Sequence, residues 1–309
     1  MRLAGRVAII TGGARGVGFA IAEELVREGA RVALMDPGGA KDGREEGGSP
    51  AEDAVATLRE RGGEAMAIAE SVADHDGCGR AVEACLARWG RLDILVNNAG
   101  VLRPKMIFNM PVEDWDAVVA VHLRGAYSMI HHAAKPMREA RGGRIVNMGS
   151  EAWRGTVGQA NYGAAKGAVF SLTRAVAREL GRYGVTCNTV CPSAATRLTL
   201  DEAVKEGFRK RLAAGLITQA RFDQVMTMGG PEHIAPFVAW LVSDAAAQVN
   251  GQAFRVEQGL VGIYNEPELK ATLTKAGGEL FSFEDFSALV PRTLLPGYVN
   301  PAPAEAAQP

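Results

Sequence analysis

The stretch that most restricts how this chain can fold lies near its start. Arg6 to Ile10 reads R-V-A-I-I, a short apolar run rich in β-branched residues. A parallel strand buried on both faces uses such a run. It passes directly into T-G-G-A-R-G-V-G, Thr11 to Gly18, and then into F-A-I-A-E-E-L-V-R-E-G. In that last segment Phe19, Ala22, Leu25 and Val26 fall on one helical face, and Gly29 stops the helix. The order is strand, glycine loop, helix. Glycines let the backbone approach a pyrophosphate, and the helix N-terminus supplies N–H donors to it. Thr11, Gly12, Arg15, Gly16, Val17 and Gly18 are therefore expected to cradle a dinucleotide.

The next strand, Arg31 to Met35, ends at Asp36. A carboxylate there can accept hydrogen bonds from the adenosine ribose hydroxyls and would repel a 2′-phosphate, which favours NAD over NADP. Arg15 argues the other way, because a basic side chain in the loop can face a 2′-phosphate. The bland reading of Asp36 is a turn residue before Pro37. Gly38 to Pro50 is polar and glycine-rich, hence a loop. A helix is expected from Ala51 to Arg61, a strand from Glu64 to Ala69, a helix from Asp76 to Trp89 and a strand from Leu92 to Val96 ending in N-N-A-G, Asn97 to Gly100. This alternation implies a doubly wound parallel sheet, with ligands bound beyond the carboxyl ends of its strands. Thr11, Asp36, Asn97 and Ser150 all fall at such ends.

Ser150 to Lys166 reads S-E-A-W-R-G-T-V-G-Q-A-N-Y-G-A-A-K. Tyr162 and Lys166 are spaced to share a helix face. A tyrosine, with a pKa of about 10, is a poor base near neutrality, and a neighbouring ammonium favours its phenolate. The bland alternative is a surface helix carrying two polar residues by chance.

Composition narrows the field. The 309 residues are 47% hydrophobic and 22% charged with a net charge of −1, so no basic surplus points to nucleic acid or an anionic membrane. Cys78, Cys85, Cys187 and Cys191 form no C-x-x-C and no zinc spacing, so they read as free thiols, with no metal expected. The run Val7 to Ile10 is too short for a signal-peptide core or a membrane span. A cytoplasmic protein acting on a small molecule is expected.

Taken together, T-G-x-x-x-G-x-G (Thr11 to Gly18), N-N-A-G (Asn97 to Gly100) and Y-x-x-x-K (Tyr162 to Lys166) resemble the short-chain dehydrogenase/reductase family. The likeness covers roughly residues 1–262. It implies an α/β architecture: one Rossmann-type doubly wound domain, 1–264, with a parallel seven-stranded sheet and a helical substrate lid at 198–230, followed by a C-terminal extension, 265–309. D-W-D-A-V-V-A-V-H-L-R-G-A-Y (Asp114 to Tyr127), G-R-I-V-N, G-Q-A-N-Y-G-A-A-K and N-G-Q-A-F are similar to one subgroup. That subgroup holds bacterial 17β-hydroxysteroid dehydrogenases and the (3R)-hydroxyacyl-CoA dehydrogenase part of the peroxisomal multifunctional enzyme. The resemblance implies that Tyr162 exchanges a proton with the substrate oxygen, Lys166 lowers the tyrosine pKa and binds the nicotinamide ribose, and Ser150 hydrogen-bonds the substrate oxygen. Ser71, Val72, Asn98, Ala99, Gly100, Pro192 and Thr196 would join the cofactor site, with Val72 against the adenine. A homodimer or homotetramer is implied as well.

The chain also departs from the family pattern. His122 stands where an asparagine usually completes a proton relay, as it does in the subgroup; the alternative is a buried histidine bonded to backbone. Ser150 and Tyr162 are 12 residues apart, one fewer than is usual, and Trp153 replaces a small residue. Trp153 is expected either to line the substrate pocket or to plug the structure. Pro192-Ser193 replaces Pro-Gly, and Glu257-Gln258-Gly259 replaces D-G-G. Leu200, Val204, Phe208, Leu212, Leu216 and Ile217 recur at roughly helical spacing, which places Leu200 and Phe208 in an apolar lid; the basic residues between them either pair with CoA phosphates or form a solvated face. A helix is expected at Pro267 to Ala276, burial of Phe281, Phe283, Phe286 and Leu289, and disorder from about Pro296. The alternatives to NAD-dependent oxidation of a steroid or hydroxyacyl-CoA alcohol are an NADPH-dependent ketoreductase and an inactive cofactor-binding scaffold.

Overall fold

The computed structural model describes residues 1–40, 42–44, 48–196, 200, 202–215 and 217–301. The chain divides into two compact units, Met1–Tyr264 and Asn265–Pro309. Among the described residues the first unit holds strands β1 (Val7–Thr11), β2 (Arg31–Met35), β3 (Ala65–Ile68), β4 (Ile94–Asn97), β5 (Gly143–Met148), β6 (Val185–Ser193), β7 (Ala253–Glu257) and β8 (Leu260–Ile263). Its helices are α1 (Gly16–Arg27), α2 (Pro50–Glu60), α3 (His75–Trp89), α4 (Val112–Val119), α5 (Gly125–Glu139), α6 (Ala160–Leu180), α7 (Glu202–Ala213), α8 (Gln219–Met226) and α9 (Ala235–Leu241).

The sheet order is β3-β2-β1-β4-β5-β6-β7-β8. All pairs are parallel except the last, in which β8 folds back against β7. This corrects the expected seven strands. Gln258-Gly259 turns the chain directly after β7, and Leu260 to Ile263 then pair antiparallel along its edge. The chain leaves β1 toward β2 on one side and returns through β4 on the other, so the topological switch point lies between β1 and β4.

Strand alternation separates two apolar layers. Ala8 and Ile10 of β1 point into a layer with Ile21 and Leu25 of α1 and Val238 and Leu241 of α9. Val7 and Ile9 point into the other, with Cys78, Val82 and Cys85 of α3 and Met129 and Met137 of α5. Both faces of β1 are thus covered, which is why its sequence is a continuous apolar run rather than an alternating one. Fully buried side chains such as Ile9 and Leu25 each contribute about 1.5–3 kcal/mol of transfer free energy. All four cysteines are buried and free.

The helical stretch after N-N-A-G is not regular throughout. Between α4 and α5 the backbone makes a π-helical turn at Ala120–Arg124, and His122 sits inside it. Such turns rotate the following side chains relative to a regular helix. The segment expected to form a lid holds two short helices, α7 and α8; Leu198 and Leu216 lie outside the described residues.

In the second unit Pro267 to Ala276 is not helical apart from the start of a 3-10 turn at Ala276–Gly278. Helix α10 (Phe283–Thr293) forms instead, because Ser282 and Asp285 make a reciprocal capping box at its start. The Pro267 segment has no such signal and carries β-branched Thr272 and Thr274. Phe281 stacks on Phe286 at 5.3 Å. Of the tail expected to be disordered, residues 302–309 lie outside the described residues.

Candidate active site

The glycine loop is built from its first residue outward. Thr11 is buried at the end of β1, and its hydroxyl accepts from the amides of Asn98 and Ala99, both at 3.0 Å. The Asn98 side-chain amide donates to the carbonyls of Thr11 (3.0 Å) and Gly12 (2.9 Å). The two expected motifs, T-G-x-x-x-G-x-G and N-N-A-G, are thereby bonded to each other across the switch point. Gly12 has a φ of +59°, and a Cβ there would lie 2.8 Å from the Ala99 Cα, so no side chain fits. Gly18 packs against the Gly12 carbonyl in the same way.

A single cleft is lined by Gly12, Arg15, Gly16 and Val17 of the loop and by Asp36, Ser71 and Val72. Asn98, Ala99 and Gly100, then Pro192 and Thr196, line it as well. The first turn of α1 faces this cleft, where its backbone N–H groups have no intrahelical partner. Asp36 spends one lone pair of each oxygen on the backbone: Ala14 N–H donates to Oδ2 at 3.3 Å and Gly38 N–H to Oδ1 at 2.9 Å. The carboxylate is therefore both a turn residue, as the bland reading has it, and a rigid acceptor at the cleft wall. It is part-exposed and keeps acceptor capacity for ribose hydroxyls. The glycine cradle, the helix N-terminus and this acceptor fit a nicotinamide dinucleotide.

Ser150, Tyr162, Lys166 and His122 line the same cleft. Ser150 follows β5, and its hydroxyl accepts from Ala152 N–H at 3.2 Å. Lys166 is buried, and its ammonium donates to the Met148 carbonyl at 2.5 Å. Its nitrogen lies 5.6 Å from the centre of the Tyr162 ring. Burial lowers the Lys166 pKa to about 8, opposed by Cys191. Burial raises the Tyr162 pKa above its ordinary value; a hydrogen bond with Ser150 opposes the rise and Cys191 adds to it. The i, i+4 spacing puts both side chains on one face, and burial is the largest influence on the tyrosine.

His122 is buried and packs edge-on against Tyr162, ring centres 5.0 Å apart at 82°. Its Nε2 lies 2.8 Å from the Val101 carbonyl and 3.1 Å from the Val101 amide, and Nδ1 has no hydrogen-bond partner. Burial, reinforced by Lys166 and opposed by the Val101 carbonyl, depresses its pKa to about 3. This is the backbone-bonded histidine of the alternative reading, neutral at any ordinary pH. Gly100 makes room for it: a Cβ there would come within 2.7 Å of His122 Cε1.

Three expected substrate-pocket residues do not line this cleft. Trp153 packs on Phe170 (5.0 Å) and Tyr264 (5.8 Å), over a cluster that includes Cys191 and Ala253, and stays 39% exposed. It serves as a plug on that cluster. Leu200 and Phe208 are half-buried in the lid segment. Asn161, which the sequence reading passed over, is fully buried: it accepts from Tyr162 N–H at 2.8 Å and donates to the carbonyls of Arg103 and Asp114, both at 3.1 Å. A polar residue directly before the tyrosine, in a first helical turn, was the available signal. No group of three or more His, Cys, Asp or Glu among the described residues is disposed to hold a metal ion.

Comparison with known proteins agrees with this geometry. A family model described as Enoyl-(Acyl carrier protein) reductase matches residues 12–261. Hydroxyacyl-CoA dehydrogenase ChsB1 of Mycobacterium tuberculosis is 39% identical over 284 residues, 89% of this chain and 84% of that protein. The peroxisomal multifunctional enzyme type 2 of Mus musculus is 34% identical over 266 residues, 85% of this chain but 33% of that longer protein. A crystal structure of a short chain dehydrogenase from Mycobacterium avium matches with a TM-score of 0.78 and 36% identity, covering 95% of this chain and 96% of the other. Fold, cradle and matches define an oxidoreductase of the kind that uses a nicotinamide dinucleotide. The chain belongs to the short-chain dehydrogenase/reductase family.

Proposed function

We propose that the protein interconverts a secondary alcohol and a ketone on a bulky apolar substrate of the 3-hydroxyacyl-CoA class, with NAD as the cofactor. The observation that carries this reading is that Ser150, Tyr162 and Lys166 open onto the same cleft as the glycine loop and Asp36. When bound, the dinucleotide supplies or accepts the hydride. Ser150 orients the substrate oxygen, and Tyr162 gives or takes its proton. Tyr162, kept protonated by burial, is suited to donating that proton in the reductive direction. Lys166, fixed on the Met148 carbonyl, holds a cation beside the tyrosine ring and would bind the nicotinamide ribose when the cofactor is present.

The substrate class rests on the 39% identity to a protein named hydroxyacyl-CoA dehydrogenase. The lid does not add to it. Lys205 pairs with Glu202 at 2.7 Å and Arg209 with Glu206 at 3.2 Å along α7, which supports the solvated-face reading of these two residues. A second reading, NADP as cofactor, is favoured by Arg15, which lines the cleft beside Asp36.

The test is initial rates with NAD+ and NADP+ across 3-hydroxyacyl-CoA thioesters, steroid alcohols and simple secondary alcohols. NAD+ and the thioesters are expected to give the highest kcat/KM. Tyr162→Phe is expected to lower kcat by about 10²–10⁴-fold while NADH still binds. Unchanged turnover in that variant would refute the mechanism, and a preference for NADP+ would refute the role given to Asp36.

A further inference from the structure

One stretch of the cleft wall comes from the long loop after β2. Pro37, Gly39, Ala40 and Gly43 line the cleft beside Asp36. Asp42 to Arg44 is folded on itself: Gly43 N–H donates to the Ala40 carbonyl at 3.0 Å and Ala40 N–H to the Arg44 carbonyl at 2.8 Å. A glycine-rich loop of this kind has little apolar surface to hold it in place. One side chain that reaches it from outside is Arg103, which lies just beyond N-N-A-G. Its Nε donates to the Asp42 carbonyl at 2.7 Å. Its Nη1 lies 3.4 Å from Asp114 Oδ1 and 3.5 Å from the Glu113 carbonyl, so one side chain bridges the loop and the start of α4. The backbone of Arg103 is fixed in turn by Asn161, which donates to its carbonyl from the helix that carries Tyr162. Beside this bridge Gly43 lies against Val101: a Cβ at Gly43, whose φ is +85°, would sit 3.2 Å from Val101 Cγ1.

We propose that Arg103 is a positioning residue for the cofactor: it pins residues 37–40 and 42–44 as the wall over the adenosine half of the dinucleotide. The inference rests on the reading of the cleft as a dinucleotide site. The wall adjoins Asp36, at the ribose end, whereas Ser150, Tyr162 and Lys166 belong to the reacting end. Loss of the pin should therefore weaken binding of the adenosine part and spare the nicotinamide part.

The test compares two ligands on the full-length protein by fluorescence titration: NADH, and reduced nicotinamide mononucleotide, which lacks the adenosine. Arg103→Ala is expected to weaken NADH by about tenfold, the scale of one hydrogen bond to a charged group, and to leave the mononucleotide affinity unchanged. Arg103→Lys, which keeps the charge but not the planar fork, should recover part of the loss. Gly43→Ala perturbs the same contact from the loop side, at an exposed turn where folding is not at stake, and should show the same selectivity. If Arg103→Ala and Gly43→Ala bind NADH as the wild type does, the inference is wrong. It is equally wrong if both ligands weaken together, since that marks general damage. A wild-type protein that binds neither NADH nor NADPH would instead bring down the reading of the cleft, and this inference with it.

Discussion

His122 offers the sharpest physical test of the site. Its pKa is depressed to about 3 by burial, with Lys166 adding and the Val101 carbonyl opposing. In the unfolded chain a histidine titrates near 6.5. The folded form therefore refuses a proton that the unfolded form takes up, so stability is fully present above about pH 6.5 and drains as pH falls toward 3. By the linkage relation this one residue removes about 2 kcal/mol between pH 7 and pH 5. Asparagine in its place cannot titrate. His122→Asn is expected to lower stability at pH 7, through lost packing against Tyr162, yet to lose about 2 kcal/mol less than the wild type on going to pH 5. For a domain of this size that difference is about 4–8 °C in the relative melting shift. Thermal and urea unfolding of both proteins at pH 7, 6 and 5 measure it. Parallel pH profiles for the two proteins would show that His122 titrates normally, and the neutral, backbone-bonded imidazole described above would be wrong.

Two further outcomes follow from close approaches around the cradle. Gly12→Ala places a methyl against the Ala99 Cα at a φ of +59°, and should cost about tenfold or more in NADH affinity by titration, because the loop must open to admit it. Gly100→Ala should destabilise the wild type by about 1–3 kcal/mol through overpacking against the His122 ring. In a His122→Asn background that cost should shrink, giving a coupling of at least about 0.5 kcal/mol in a double-mutant unfolding cycle; strict additivity would contradict the contact.

Much of this was legible in the chain itself, for physical reasons that can be named. Val7 to Ile10 and Arg31 to Met35 are short apolar runs ending in turn chemistry, so both the strands and the residues at their carboxyl ends could be placed. Once those ends converge at a switch point, Thr11, Asp36, Asn98 and Ser150 must lie near one another. What spacing cannot supply is the balance of opposing terms at one residue. The Tyr162–Lys166 interval guarantees a shared face, but only the surrounding packing decides that burial raises the tyrosine. Contacts between distant segments were also beyond reach: Arg103 bonds a carbonyl at Asp42, Asn161 bonds carbonyls at Arg103 and Asp114, and Trp153 finds Tyr264. A carbonyl acceptor has no residue-type signature. The misplaced helix near Pro267 has a different cause, since weak periodicity was read there without a cap while the capping box lay at Ser282.

The carbonyl and amide anchors also explain how such a site tolerates change around it. Lys166 is held by the Met148 carbonyl, His122 by the backbone of Val101, Asn161 by Arg103 and Asp114, and Asp36 by the amides of Ala14 and Gly38. Thr11 in turn is bonded to the amides of Asn98 and Ala99. Each contact is made to main chain, and most of these main-chain groups lie at or just beyond the end of a strand or at the start of a helix. The one-residue shortening between Ser150 and Tyr162 is absorbed in the same way: Ser150 stays fixed after β5 and Tyr162 stays fixed through Asn161, so the change falls on the loop between them, where Trp153 leaves the cleft and packs on Phe170 and Tyr264.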